Sequence, residues 1–341
     1  MKLIALLSIL LLSQNASAWG DRGHEMVGHL AQEQLTPRAK RAIETILGRD
    51  FKLANEATWP DKMRSNRTFD RFKPWHYADH PATTLADVLG KNFPKPEDLK
   101  ENEKAALPFV GGLLDDHPYL LVNHAPKGDA LAALNLLENL IRSPRAKKEQ
   151  KIFAIRYIAH IVGDIHMPLH IGSGLDAGGN SCLVKWQGRE KKIFQTENGP
   201  VEYDMNIHIV WDDEIPDTRV CGKGPCDSLE YAQLLSREYQ KEIAQNKHKW
   251  VRGSHLDWAK ESADFRESVY PVVKDASGLP VQAEGKPAGR PYCKTSATDV
   301  IDSKLKPDLA DAYYTQWKKI AETRILQAGH RLGAMLNVIF R

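Results

Sequence analysis

Apolar positions along this chain recur mostly with the period of a helix. The stretches "EMVGHLAQEQL", "DALAALNLLENLIRS", "EQKIFAIRYIAHIVGDIH", "EYAQLLSREYQKEIAQ" and "DAYYTQWKKIAETRILQAGHRLGAMLNVIF" each gather apolar side chains on one face. Pro, Gly, Asn and Asp punctuate their ends. One stretch differs. "NSCLVKWQGREKKIFQT" alternates around Gly188, which predicts a small β-hairpin. Residues Tyr270 to Pro307 are rich in Pro, Gly and Ser and read as a long surface excursion. With no internal repeat, low-complexity tract or linker, the pattern predicts one mainly α-helical domain.

The amino terminus stands apart. Lys2, the apolar run Leu3 to Leu12 and the small residues Ala16-Ser17-Ala18 form a secretory leader, residues 1–18, with cleavage expected before Trp19. The run is too short to span a bilayer, so residues 19–341 are expected to be exported and released, to the periplasm or the medium. Composition is that of an ordinary globular protein, with 42% hydrophobic and 27% charged residues. The full chain carries a net charge of only +3, which excludes a polybasic nucleic-acid glove and makes any phosphate affinity local. Four cysteines in an exported chain imply two disulfides with three possible connectivities. The short loop "CGKGPC" favours Cys221–Cys226, leaving Cys182–Cys293 as a long-range staple. No C-x-x-C spacing points to a cysteine metal site.

Histidines and aspartates fall in suggestive company. In "HIVGDIHMPLH", His160 and Asp164 lie one helical turn apart on one face, and Pro168 ends the helix so that His170 comes round beyond it. "NIHIVWDD" repeats the device with His208 and Asp212. Imidazole and carboxylate together suit zinc and other divalent first-row metals. One such pair is commonly a helix-face ion pair, whereas two pairs and a third histidine favour metal binding. "ATWPDKMR" adds Asp61 and "KPWHYADH" adds His76, each of which alone reads as an ordinary surface or core residue.

Jointly these segments carry a resemblance. "WGDRGH", "TWPDKMR", "WHYAD", "HIVGDIHMPLH", "DAGGN", "NIHIVWDD", "SHLDWAKES" and "QAGHRLGAMLN" occur in one order from Trp19 to Asn337. The chain resembles the class I nucleases, the zinc-dependent, single-strand-preferring nucleases and 3′-nucleotidases of the S1/P1 type. The resemblance implies the helical fold shared by zinc-dependent phospholipase C and these nucleases, with three zinc ions. One would take Asp61, His76, His160 and Asp164. A second would take the α-amine and carbonyl of Trp19 together with His24, sharing Asp164. The third would take His170, His208 and Asp212. An uncleaved leader would turn the Trp19 amine into an amide, so export would switch the enzyme on.

The same resemblance implies the chemistry. Attack on phosphorus between two close zincs would break P–O3′ and leave 5′-phosphate ends, with Asp61 orienting the nucleophile or accepting its proton. Arg64 would contact the phosphate, Tyr77 would stack on a base, and Asp79, Gly178 and Asn180 would meet the base edge or phosphate. Single-stranded DNA and RNA and 3′-nucleotides are the expected partners. No stable protein partner and no membrane association are expected, and the chain is read as a monomer. His166 is read as structural, Trp211 as packing, and His29, His80, His117, His124, His248, His255 and His330 as ordinary. One departure is the length of Arg189 to Met205, by which the hairpin extends or a loop overhangs the third zinc. The rivals are a zinc-dependent phospholipase C, disfavoured by Asp212 where a glutamate is usual, by the short Trp19–His24 spacing, by Arg64 and by "DAGGN", and a non-catalytic zinc-binding protein.

Overall fold

The computed structural model describes residues 19–79, 121–122, 125–126, 129–173, 176–196, 199–221 and 227–341. The leader, Cys226, His80, His117 and His124 lie outside the described residues, as does the side chain of Asp79. Helices α1 (Asp21–Glu33), α2 (Pro37–Leu47) and α3 (Leu53–Lys62) come first. Then follow α4 (Ala130–Arg142), α5 (Lys148–Asp164) and the short α6 (Ile207–Ile209). A π turn over Val210–Glu214 runs into α7 (Ile215–Val220). Helices α8 (Ser228–Glu238), α9 (Gln240–Trp250), α10 (His255–Arg266) and α11 (Asp311–Ile339) complete the set among the described residues.

Local chemistry sets many of these boundaries. Thr36 Oγ1 accepts from the Ala39 amide ahead of Pro37 at the start of α2, and Asp129 caps α4 through the Leu131 and Ala132 amides. Ser254 and Asp257 form a reciprocal capping box on α10. The periodic run Glu230 to Gln245 breaks at Tyr239 into α8 and α9. Tyr231 and Tyr239 both donate to the buried carboxylate of Glu322, at 2.5 and 2.6 Å. Two residues eight apart on a straight helix are about 12 Å apart along its axis, so their convergence on one carboxylate requires the bend.

Helix α5 is the axis of the molecule. Its residues Phe153–Asp164 are buried apart from Arg156, and α3, α4, α1 and α11 pack around it. Phe72, Trp75, Phe153 and Tyr157 form an aromatic cluster whose ring centroids lie 4.6 to 6.2 Å apart, filling the space beside its middle. Helix α1 lies between α3 and α11. A Cβ on Gly28 would stand 2.4 Å from the Ala54 amide nitrogen, so only glycine lets the two backbones approach this closely. On its other side α1 meets α11, which runs parallel to it: Gly329 faces Leu30, and Gly333 faces Ala31 and Gln34.

The β structure is peripheral and differs from the sequence expectation in position. The hairpin pairs Lys191–Thr196 with Gly199–Asp204 in antiparallel register, Lys191 opposite Asp204. Gly188 instead makes a tight turn closed by a single Trp186–Arg189 bridge, because Lys185–Trp186 is already paired in parallel with Asp308–Leu309. The extra length of residues 189–205 is therefore the hairpin itself. Its base is anchored by Arg189 and Lys192, which reach Glu214 of the π turn at 2.6 and 2.9 Å.

The excursion after Tyr270 is tied down rather than loose. Cys293 forms a disulfide with Cys182, the Leu183 amide donates to the Tyr292 carbonyl, and the Lys294 amide donates to the Ser181 carbonyl. Cys221 is disulfide-bonded as well. Among the described residues no helix is long and apolar enough to cross a membrane.

Candidate metal centre

Five helical segments and two turns deliver imidazoles and carboxylates to one buried region. His24 projects from the first turns of α1 and Asp61 from the last turn of α3. His76 ends the 3-10 run Arg67–His76, directly after the buried anchor Trp75. His160 and Asp164 come from the last two turns of α5, His170 closes the 3-10 turn Pro168–His170, and His208 and Asp212 sit on α6 and the π turn. The expected one-turn pairings hold: His160 Nε2 lies 3.3 Å from Asp164 Oδ2, and His208 Nε2 lies 3.0 Å from Asp212 Oδ2. A π turn widens the helix by one residue per turn, and here that local widening is where Asp212 projects.

Three groups of potential metal ligands result, each with its ligating atoms within 4.8 Å of one another: His24, Asp61 and His160; His76, His160 and Asp164; and His170, His208 and Asp212. The first two merge. Asp164 stands 3.2 Å from His24 Nε2 through one oxygen and 3.6 Å from His76 Nδ1 through the other, and Asp61 Oδ1 lies 3.6 Å from His76 and 3.7 Å from His160. Asp164 is thus placed between the histidines of both groups.

Hydrogen bonds at the rear of three rings fix which nitrogen faces inward. His160 Nδ1–H donates to the Ala57 carbonyl at 2.7 Å, His170 Nδ1–H to the His76 carbonyl at 2.5 Å, and His208 Nδ1–H to the Gly178 carbonyl at 2.7 Å. Each Nε2 is then left with a lone pair aimed into the cluster. His170 Nε2 and His208 Nε2 face each other at 3.2 Å with both Nδ1 protons already committed, so two lone pairs oppose across a gap that calls for a cation. Both nitrogens of His24, both oxygens of Asp164 and Oδ1 of Asp212 are buried and form no hydrogen bond among the described residues. Buried polar atoms left in this state are costly unless a ligand satisfies them, and this donor set of imidazole and carboxylate suits zinc or a similar divalent ion.

The electrostatics of these buried rings and carboxylates point the same way. Burial holds His24 and His76 well below the ordinary histidine value and brings His160 down to about 4, so the rings are neutral and able to coordinate. Burial, reinforced by Asp61, pushes Asp164 well above the carboxylate range. A cation beside it reverses that penalty.

The remaining sequence candidates fall as follows. Trp19 is fully buried two residues ahead of α1 and packs on Gly23 of its first turn. The amide of the next residue, Gly20, donates to the Asp212 carbonyl at 2.8 Å while its carbonyl accepts from the His24 amide, so the segment leading into α1 is tied to both clusters. Arg64 Nε lies 3.3 Å from Asp61 Oδ1. Tyr77 is half-buried. Asn180 is buried and donates to the Ala177 carbonyl, and Gly178 presents its carbonyl to His208. His166 points away from the cluster, with Nδ1 on the Val162 carbonyl and Nε2 on Arg331, as a structural role requires. Trp211 packs on Trp317 and donates to Tyr313.

Two supports were not singled out from sequence. Gly163 gives the His24 ring its place: a Cβ there would stand 2.8 Å from His24 Nδ1, and the ring instead stacks on His160 at 3.9 Å. Asp176, at the head of "DAGGN", accepts from the Tyr270 hydroxyl at 2.5 Å and holds a turn in which Ala177, Gly178 and Gly179 all have positive φ. An aspartate leading a glycine-rich turn is a signal that sequence alone offers.

Comparison with known proteins gives one coherent answer. A family model described as S1/P1 nuclease matches residues 19–341. Nuclease S1 of Aspergillus oryzae is 26% identical, covering 97% of this chain and 94% of its own length. Endonuclease 4 of Arabidopsis thaliana is 25% identical over 97% of this chain and 93% of its own, and nuclease P1 of Penicillium citrinum is 22% identical over 94% and 97%.

Proposed function

The chain belongs to the S1/P1 nuclease family of phosphodiester hydrolases, and from that premise we propose that it hydrolyses single-stranded DNA and RNA at P–O3′, giving 5′-phosphate ends, and removes terminal 3′-phosphates. The observation that carries this reading is the pair of inward Nε2 atoms of His170 and His208, 3.2 Å apart, beside a second cluster sharing Asp164. In the proposed assignment Asp61, His76, His160 and Asp164 hold one zinc. Trp19 and His24 hold a second with Asp164, and His170, His208 and Asp212 hold the third. The matched family is that of the nuclease expectation, not of the phospholipase C alternative.

Three bound zinc ions would supply hydroxide near neutral pH and positive charge against the attacking and leaving oxygens. The chain's own groups do the positioning. Arg64, a planar donor held beside Asp61, grips the non-bridging phosphate oxygens and fixes the phosphorus in line with the attacking water. Asp61 orients that water and takes its proton as the new P–O bond forms and P–O3′ breaks, and O3′ leaves as a hydroxyl after gaining a proton from solvent. Tyr77 stacks on an unpaired base, which tolerates any sequence and disfavours a closed duplex. Asp79, Gly178 and Asn180 complete the base and phosphate contacts. Processing before Trp19 frees an α-amine whose pKa of about 8 lets a cation displace its proton, so export of the chain and assembly of the second site are one event.

The test uses protein with a verified Trp19 amino terminus, incubated with single-stranded DNA and RNA with and without chelator, and product ends identified. Chelator-sensitive release of 5′-phosphorylated products is expected. Failure of fully metallated protein to cut either polymer across a broad pH range would reject the reading.

A further inference from the structure

The net charge of +3 is unevenly spread, and the topology shows where the cations collect. Helices α1 and α11 run parallel, so the ends of both lie away from His24. The Thr36 amide donates to Asn337 Oδ1 at 2.7 Å, and Asn337 Nδ2 donates to the Gln34 carbonyl at 2.8 Å. Arg142, at the end of α4, reaches the Val338 carbonyl, and Lys247 of α9 reaches Gln34 Oε1. The ends of α1, α4 and α11, the start of α2 and the last turn of α9 therefore meet at one pole, and α5 begins there after a short turn. Helix α5 has 17 residues, which sets Lys148 about 25 Å from the Asp164 end.

Three of these places carry exposed cations. The start of α2 contributes Arg38, Lys40 and Arg41, the α4–α5 turn contributes Arg145 and Lys148, and the end of α9 contributes Lys249. None of these six has an ion-pair partner among the described residues; the carboxylates near them in the chain are the exposed Glu33 and Glu149 and the half-exposed Glu44. Since the whole chain is nearly neutral, a concentration of this kind leaves the remainder of the molecule close to or below zero. A self-avoiding solvated surface would intersperse the two signs. Flexible cations without aromatic side chains among them suit a run of phosphates rather than bases.

We propose that this pole is a second docking surface for the sugar–phosphate backbone of a long single strand whose scissile bond lies in the metal centre. The inference rests on the nuclease reading. It adds a length dependence to it: a stacked strand advances about 3.4 Å per nucleotide, so bridging about 25 Å takes about 7 nucleotides or more, and shorter substrates meet the centre alone. The pole supplies affinity, not chemistry, and its contribution falls as salt rises.

The experiment compares metal-loaded wild type with the variant R38Q/K40Q/R41Q/K148Q on a 40-nucleotide deoxythymidine strand and on a dinucleotide. The variant is expected to raise KM on the 40-mer about 10-fold at unchanged kcat, to flatten the slope of log kcat/KM against log salt by up to about 3, and to leave dinucleotide hydrolysis unchanged. The dinucleotide rate also reports correct folding. If that rate is lost, the pairs R38Q/R41Q and K148Q/K249Q are measured in the same way, with proportionally smaller effects expected. Unchanged 40-mer kinetics and salt slope in variants that keep dinucleotide activity would overturn the proposal. So would loss of binding to phosphatidylglycerol vesicles with 40-mer kinetics unchanged, which would assign the pole to an anionic membrane. If wild type cleaves neither substrate, the nuclease reading fails, and the pole is judged by whether the variant weakens binding of the uncut 40-mer.

Discussion

At the scale of single residues, the centre depends on what stands behind the ligands as much as on the ligands. Neither ring nitrogen of His24 makes a hydrogen bond among the described residues. Its ring is held by stacking on His160 and by the bare Cα of Gly163. Gly163→Ala should push the ring out of register and lower metal affinity at that site about 10- to 100-fold, read by competition with a chelator of known affinity; unchanged affinity would show that the ring has other support. His160, Asp164, His208 and Asp212 were legible in the sequence because four-residue spacing on a helix is a geometric statement. Asp61 and His76 were not legible alone, since each is one residue in an otherwise structural context. They gain meaning only from a pattern spread over the chain. Gly163 was invisible because its role is the absence of a side chain opposite a ring that arrives from another helix.

Elements carry the next level of control. The turn that presents the Gly178 carbonyl to His208 is held by Tyr270, whose ring in turn lies 3.9 Å beneath the Arg290 guanidinium. Tyr270→Phe removes one hydroxyl and should weaken metal retention at the His170–His208–Asp212 group by about 10-fold. Tyr292→Phe, which removes a hydroxyl bonded to the Pro271 carbonyl in the same excursion, should not; equal metal loss from both variants would discount the turn. Periodicity predicted the excursion as a surface feature and gave no hint of this duty, because the tie is made by a hydroxyl and a carboxylate 94 residues apart.

Between α9 and α11, His330 lies beside Trp250 with neither ring nitrogen hydrogen-bonded among the described residues, and burial brings it down to about 4. Its folded value is depressed, so the unfolded chain takes up the proton first as pH falls. Stability from this residue is complete above about pH 6.5, declines towards pH 4 and is level below that. His330→Leu should flatten the pH dependence of urea unfolding over that window by at most about 3 kcal/mol. A variant with the parent's slope would show that other groups set the acid limit.

For the molecule as a whole, burying so many unsatisfied ligand atoms means that metal and fold are coupled. Each site filled at a thousand times its dissociation constant adds about 4 kcal/mol, so removing the ions should lower Tm by about 8 °C or more, and added zinc should restore it. A Tm insensitive to chelator would mean that the cluster is preformed by packing alone. The helical class and most helix positions followed from periodicity. The hairpin was displaced by one strand because the parallel pairing of Lys185–Trp186 with Asp308–Leu309 joins segments that no local pattern connects. The basic pole escaped the charge count for the same reason. Its cations lie between residues 38 and 249, and only the folded helix ends bring them together.

The parallel packing of α11 on α1 also sets an order in time. Synthesis delivers every proposed ligand by Asp212, yet the helix that carries His24 gains its second supporting wall only when Gly329 and Gly333 arrive, more than a hundred residues later. At about 5 to 20 residues per second, that is a delay of several seconds between having the parts and closing the centre. A nascent chain that has not yet made α11 therefore holds every proposed ligand while the helix bearing His24 still lacks one of its walls, so the parts precede the frame that keeps them in place.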